Sequence, residues 1–552
     1  MQPYQGRLGI HRASHLLRRT SYNLTSERIE QFAKLTAKEA MDVLFTPYSP
    51  EHKEPLDPKN KLPFIDLHRG KRRRNTRAGG SIPRIQSRAV LGWWIDNARK
   101  DPSIYSKFTF FLHQNFAVVY HIHKIGPQEF FDYLHLLKDH VLKTYKELAY
   151  EIVVNNLMLE YLDNYTNSKD NPNENFAREF FELFTIGKGP QIGSGNYTTY
   201  TEDDVRTAAK LLTGFIKGPK NMNFQKALRD VVILRGPTRG DVEFSLHDTS
   251  DKIFSAAFDR RKIKGAKSEN DMWRELQDFV DMIFDQRATA QNICRKIYRF
   301  FVNAYIDEST EKNIINPLVK LFLDNDYKIE PVMRRLLMSR HFLGDSESVE
   351  SIVHIGSLIK SPLELTLQTI SFFNLSVPDP INNPRAHYIN WFTLGLLKNV
   401  YKDSMGFVPF YPQDVAGYPP FYQEPKYDKG WINSTSIVGR YQFMVQLLRA
   451  KENDKDFGLV RLDTVDFIEN SISNPFLADE IVKTLVLYLF PLPISENRFN
   501  YFLQTKFLDG HSEKVWRSEW RNYKNTNDSS IVRGSLDRLL VAIANAPEFQ
   551  VM

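Results

Sequence analysis

The sequence predicts a mainly α fold: a large multi-helix globular protein with one or two short β-hairpins. Two observations carry this expectation. Apolar residues recur at three- and four-residue spacing almost from end to end, and Ser, Thr, Asp or Asn often stands just before the first of them, where a helix N-cap is needed. Alternating strand-like runs are confined to the middle of the chain, in VVIL and VEFSL around the RGPTRGD turn. Composition agrees: the chain has 552 residues, 42% of them hydrophobic, with 39 Phe and 25 Tyr to fill a large aromatic interior. No repeat of solenoid period is evident, so the helices must pack on one another.

Three regions are expected: a helical region over 1–216, an irregular insertion with a hairpin over 217–265, and a second helical region over 266–552. Taken in order, Thr25 caps a helix carrying Ile29, Phe32 and Ala33, and Thr36 with Glu39 forms a capping box for the next. The composition then turns to Pro, Lys, Arg and Gly, and KRRRNTR at 71–77 is the densest charge run, best read as a solvated loop. A helical block follows over 87–162, with Trp93, Trp94, Phe108, Phe110, Phe111 and Phe116 as core. Ser268 caps a helix bearing Met272, Leu276, Phe279, Val280 and Ile283, and Pro362 opens another at N1. The stretch 409–430 is rich in proline and tyrosine and reads as a rigid loop anchored by Trp431 and Asn433.

One segment is chemically distinctive. In NENFAREFFELFTIG (173–187), Asn173 caps a helix whose Phe176, Phe180, Leu183 and Phe184 share a face, while Glu174, Arg178 and Glu182 form a ladder opposite. Glu179 falls at the rim of the aromatic face, where a carboxylate must find a partner or bind its proton more tightly. Gly187 stops the helix, and Thr201 with Asp204 caps the next. A hairpin of helices packed for stability alone explains these residues equally well.

NENFARE, ELFTIG, YTEDDVRTAAKLLTGF and the preceding LMLEYLDN resemble the signature of a bacterial family catalogued as domain of unknown function 1800, and FYPQDVAGYPPF with GWINSTSIVGRYQF resembles its second signature. ASHLLRRTSYNLT and IANAPEFQVM resemble the family's ends, so the resemblance spans nearly the whole chain. Two departures stand out: Asn115 in LHQNF and Phe184 replace histidines typical of relatives. The resemblance implies a partner-binding component of an exported or cell-surface complex, since relatives are often encoded beside an alkaline-phosphatase-like exported protein.

Known catalytic signatures are missing: the chain has no nucleophile elbow, P-loop, dinucleotide fingerprint or H-E-x-x-H. The lone Cys294 excludes an intrachain disulfide and reads as a core thiol. Net charge of +7 with pI about 9.0 is mild for this length, and no nucleic-acid module is recognisable. The first residues lack the apolar core of a signal peptide, and no run is long enough to span a membrane, so a cytoplasmic location is the default and export with a partner the alternative. The other expectation is a metal-dependent or carboxylate/histidine hydrolase. Its catalytic residues would be Glu179 and His113, and its binding residues Arg178, Arg206, Lys252 and Trp431. His247, Asp248 and Asp251 would hold a divalent metal ion. His121 and His123 form an H-x-H pair whose plainer reading is surface histidines. The sharp expectation is that at least two of Arg206, His113, His247 and Lys252 meet Glu179 around one concave site.

Overall fold

The caps read from the sequence form as hydrogen bonds. Thr25 Oγ1 accepts from the Arg28 amide at 3.2 Å, and Thr36 with Glu39 closes a reciprocal capping box. Thr201 with Asp204 does the same at the start of the helix Glu202–Leu211, and Ser361 with Glu364 at Pro362–Phe372. Each satisfies amides that the first helical turn leaves without partners. The computed structural model describes residues 1–51, 53–65, 82–120, 126–218, 239–346, 348–392, 401–449 and 460–552. The basic run 71–77, the pair His121 and His123, and VVIL lie outside the described residues.

Helix makes up 59% of the structure, and among the described residues the strands form three small two-stranded sheets. The expected block over 87–162 resolves into the helices Ile82–Lys100, Tyr105–Asn115, Pro127–Asp139, Tyr145–Val153 and Asn156–Tyr161. The hairpin differs from its expectation. Asp241–Val242 pairs antiparallel with Phe215–Ile216, and Phe244–Leu246, expected in a strand, forms a single 3-10 turn. Glu243 explains the change, because its side chain accepts from the Ser245 amide and caps that turn.

Buried apolar residues from Leu8 to Phe549 join in one core cluster. The helix Gly9–Thr20 ties distant parts of the chain to it through buried arginines that donate to backbone carbonyls. Arg12 Nε donates to Leu343 O at 2.7 Å, Arg18 to Tyr488 O, and Arg19 to His354 O at 2.8 Å. Lys360 Nζ likewise donates to Phe549 O at 2.7 Å. A guanidinium or ammonium can be held out of water only where acceptors replace its hydration. Among the described residues no helix is long and apolar enough to cross a membrane.

Candidate functional site

The distinctive segment is not one α-helix. It runs as α-helix over Glu174–Glu179 and then as a five-residue π turn over Phe180–Phe184. The carbonyls freed by the wider turn are taken up by Thr185 Oγ1 on Phe180 O at 2.6 Å, by the Gly187 amide on Phe181 O at 2.9 Å, and by Lys296 on Leu183 O. Phe176, Phe180 and Phe184 are fully buried, as their spacing predicts. The π turn breaks the charge ladder. Arg178 contacts Glu174 at 3.3 Å but is held more firmly by Glu202, through 2.6 and 2.8 Å bonds, and Glu182 turns instead to Tyr200 OH and to Lys188 at 3.3 Å.

Glu179 lies within electrostatic reach of Asp414 in the loop 409–430. Its carboxylate is half-buried and has no hydrogen-bond or ion-pair partner among the described residues. Burial, followed by the neighbouring charges of Glu182 and Asp414, pushes its pKa up to about 7, against the opposing pull of Arg178 and Lys188. Asp414 comes from the loop. It is held in an exposed turn, with Oδ1 accepting from the Ala416 amide and Oδ2 from Tyr422 OH, both at 3.2 Å. Tyr161, from LMLEYLDN, feels both carboxylates; burial and these charges push its phenol up to about 12. The loop reaches this position because Gly417, at φ +96°, seats on the end of the helix Tyr105–Asn115: a Cβ there would stand 3.2 Å from Gln114 O. At the same junction Gln114 Oε1 is buried with no partner.

The expected convergence on Glu179 is not what the structure holds. Arg206 is exposed and paired with Asp203. His113 is fully buried in an aromatic cage, 4.6 Å from Phe410 and 6.2 Å from Phe110 and Tyr133 between ring centroids. Neither of its nitrogens has a hydrogen-bond partner, and burial drives its pKa down to about 3, so the ring is neutral and positioned to pack. His247 and Lys252 belong to a separate buried network. His247 Nδ1 bonds Thr213 O at 2.8 Å and its Nε2 lies 2.7 Å from Glu275 Oε2. Lys252 Nζ reaches Glu275 Oε1 at 3.1 Å and Asp248 O, and the Ala266 amide donates to the same carboxylate at 2.8 Å. Trp431 is not a free binding residue either: it packs edge-on against Phe421 and Phe407 at 5.3 and 5.7 Å.

His247, Asp248 and Asp251 do not form the expected ligand set. The imidazole is used by Thr213 and Glu275, Asp248 caps the Ser250 amide at 2.9 Å, and Asp251 pairs outward with Lys262 at 2.6 Å. No group of three or more His, Cys, Asp or Glu suited to a metal ion occurs among the described residues. Sequence reasoning missed Asp414, Tyr161, Tyr422 and Glu275. The first three lie in or beside motifs singled out there, but only the fold brings them together. Glu275 lies at the edge of the apolar face of the amphipathic helix Glu269–Phe284, a rim position like that of Glu179 that the spacing marks but sequence reasoning passed over.

A family model described as "Protein of unknown function (DUF1800)" matches residues 15–551. No curated protein and no solved structure matches the chain.

Proposed function

The chain belongs to the DUF1800 family, and we propose that it is a carboxylate-based hydrolase with Glu179 as general acid–base and Asp414 as its ionic neighbour. The observation that carries this reading is Glu179 itself: a carboxyl poised near neutral pH, without a hydrogen-bond partner among the described residues, in electrostatic reach of Asp414 and Tyr161 from two other motifs. A group that can both hold and release a proton at working pH is what acid–base catalysis requires. The raised Glu179 near a second carboxyl, Asp414, follows the pattern by which paired carboxyls take different roles. Tyr161, Tyr411 and Tyr422 stand around the pair, the last two well exposed. Phenol hydroxyls, carboxylates and exposed ring faces suit a polyhydroxylated substrate, so glycosidic bonds are the first class to test.

The test is hydrolysis of a panel of labelled oligosaccharides by wild type, Glu179→Gln and Asp414→Asn. Turnover reduced about 100-fold or more in Glu179→Gln, in the range usual for loss of a general acid–base, supports the proposal. Equal turnover in wild type and Glu179→Gln, or none on any substrate, rejects it. The rival reading is the partner-binding component implied by the family resemblance. Capture of a specific partner that is indifferent to Glu179→Gln, without turnover, would favour that reading.

A further inference from the structure

A cavity lies in the C-terminal region, and none of its lining residues belongs to the Glu179 cluster. It encloses about 650 Å³, a volume within the usual range for small-molecule sites. Its wall is formed by the helices Ser436–Arg449 and Ser530–Ala544 together with the turns around Arg498–Lys506. Four cations line it, Arg449, Arg498, Lys506 and Arg538, against one carboxyl, Asp537.

These charges are not all neutralised from within. Arg498 is paired with Glu548 at 3.0 Å, and Arg538 donates to the carbonyls of Lys506 and Phe507 at 2.9 and 3.1 Å and lies 3.9 Å from the Asp509 carboxylate. Lys506 has no carboxylate partner among the described residues; its ammonium sits 5.2 Å from the centre of the Tyr501 ring, which Arg498 also approaches at 5.2 Å. Asp537 accepts from Thr464 Oγ1 at 2.8 Å, and burial raises its pKa. The remaining wall is apolar, from Val445, Leu448, Val541, Ala542 and Ala546. Asn545 adds a buried Oδ1 with no hydrogen-bond partner.

We propose that this cavity binds a small anionic ligand: a carboxylate, sulfonate or phosphate head held by Lys506, Arg449 and Arg538, with an apolar body against Leu448, Val541 and Ala542. Charge-assisted hydrogen bonds fix the head and the aliphatic wall accepts the body.

The test uses 8-anilinonaphthalene-1-sulfonate, which joins a sulfonate to an apolar ring system, with the uncharged N-phenyl-1-naphthylamine as control. Fluorescence titration of the full chain is compared with Lys506→Ala, which removes the unpaired cation, and Ala542→Trp, which fills the cavity without altering its charge. Expected are saturable one-to-one binding of the sulfonate and a weakening of about tenfold or more in each variant that melts like wild type. Equal binding of the neutral control, absence of saturable binding, or wild-type affinity in either folded variant would overturn the proposal.

Discussion

His247 Nε2 lies 2.7 Å from Glu275 Oε2, and neither side chain reaches water. Lys252 shares the same carboxylate at 3.1 Å. Glu275→Ala would leave two basic groups buried without their anion, and breaking such a network from one side costs about 3–5 kcal/mol. The exposed pair Asp251–Lys262 provides the contrast, since Asp251→Ala should cost far less. Chemical denaturation of both variants checks this, and a Glu275→Ala loss as small as that of Asp251→Ala would remove the network from the account of stability.

His113 should make the fold sensitive to acid. Its folded pKa of about 3 lies below the ordinary 6.5. Between those values the unfolded chain binds the proton and the folded chain does not, so stability rises with pH through the window and is lost as pH falls from 6.5 toward 3. The slope contributed by one such group is at most about 1.4 kcal/mol per pH unit. His113→Phe keeps an aromatic ring in the cage and removes the titration. The variant should therefore show a shallower decline over that window, while His15, His354 and His387, also driven low by burial, continue to contribute. An unchanged slope in denaturation midpoints would show that His113 is not the buried neutral group described.

Gly417 should tolerate no side chain. Its φ of +96° and the 3.2 Å approach of a Cβ to Gln114 O both oppose alanine, and the backbone term alone is about 1–2 kcal/mol. Gly417→Ala should lower the melting temperature and open the loop 409–430 to limited proteolysis, whereas the wild-type loop, with Phe410, Tyr418 and Trp431 buried, resists cleavage. Equal cleavage of the two proteins would mean that this contact does not seat the loop.

The helical architecture was legible because caps and apolar spacing are local. Thr36–Glu39, Thr201–Asp204 and the buried face of Phe176, Phe180 and Phe184 all follow from residues within a few positions of one another. The site was legible only in part. Glu179 was singled out correctly as a carboxylate at an aromatic rim, but its neighbours were not, because Asp414 reaches it through a loop seated by Gly417 and Tyr161 through an earlier helix. The π turn at Phe180–Phe184 was invisible to helical periodicity, and it redirected Glu182 from Arg178 to Tyr200. The histidines misled for a physical reason: His113 and His247 are both buried, one packed in an aromatic cage and one held by Glu275, and these partners come from distant parts of the chain that local spacing does not show.

The central claim is that Glu179 exchanges its proton near neutral pH because of its burial and its neighbours Glu182 and Asp414. The direct measurement is a carbon-13 NMR titration of protein labelled at the glutamate side-chain carboxyl, with the Glu179 resonance identified by its loss in Glu179→Gln. The account predicts an apparent pKa near 7 in wild type, moving downward in Asp414→Asn as the neighbouring negative charge is removed. A wild-type value in the ordinary glutamate range, or one that does not move in Asp414→Asn, would contradict it.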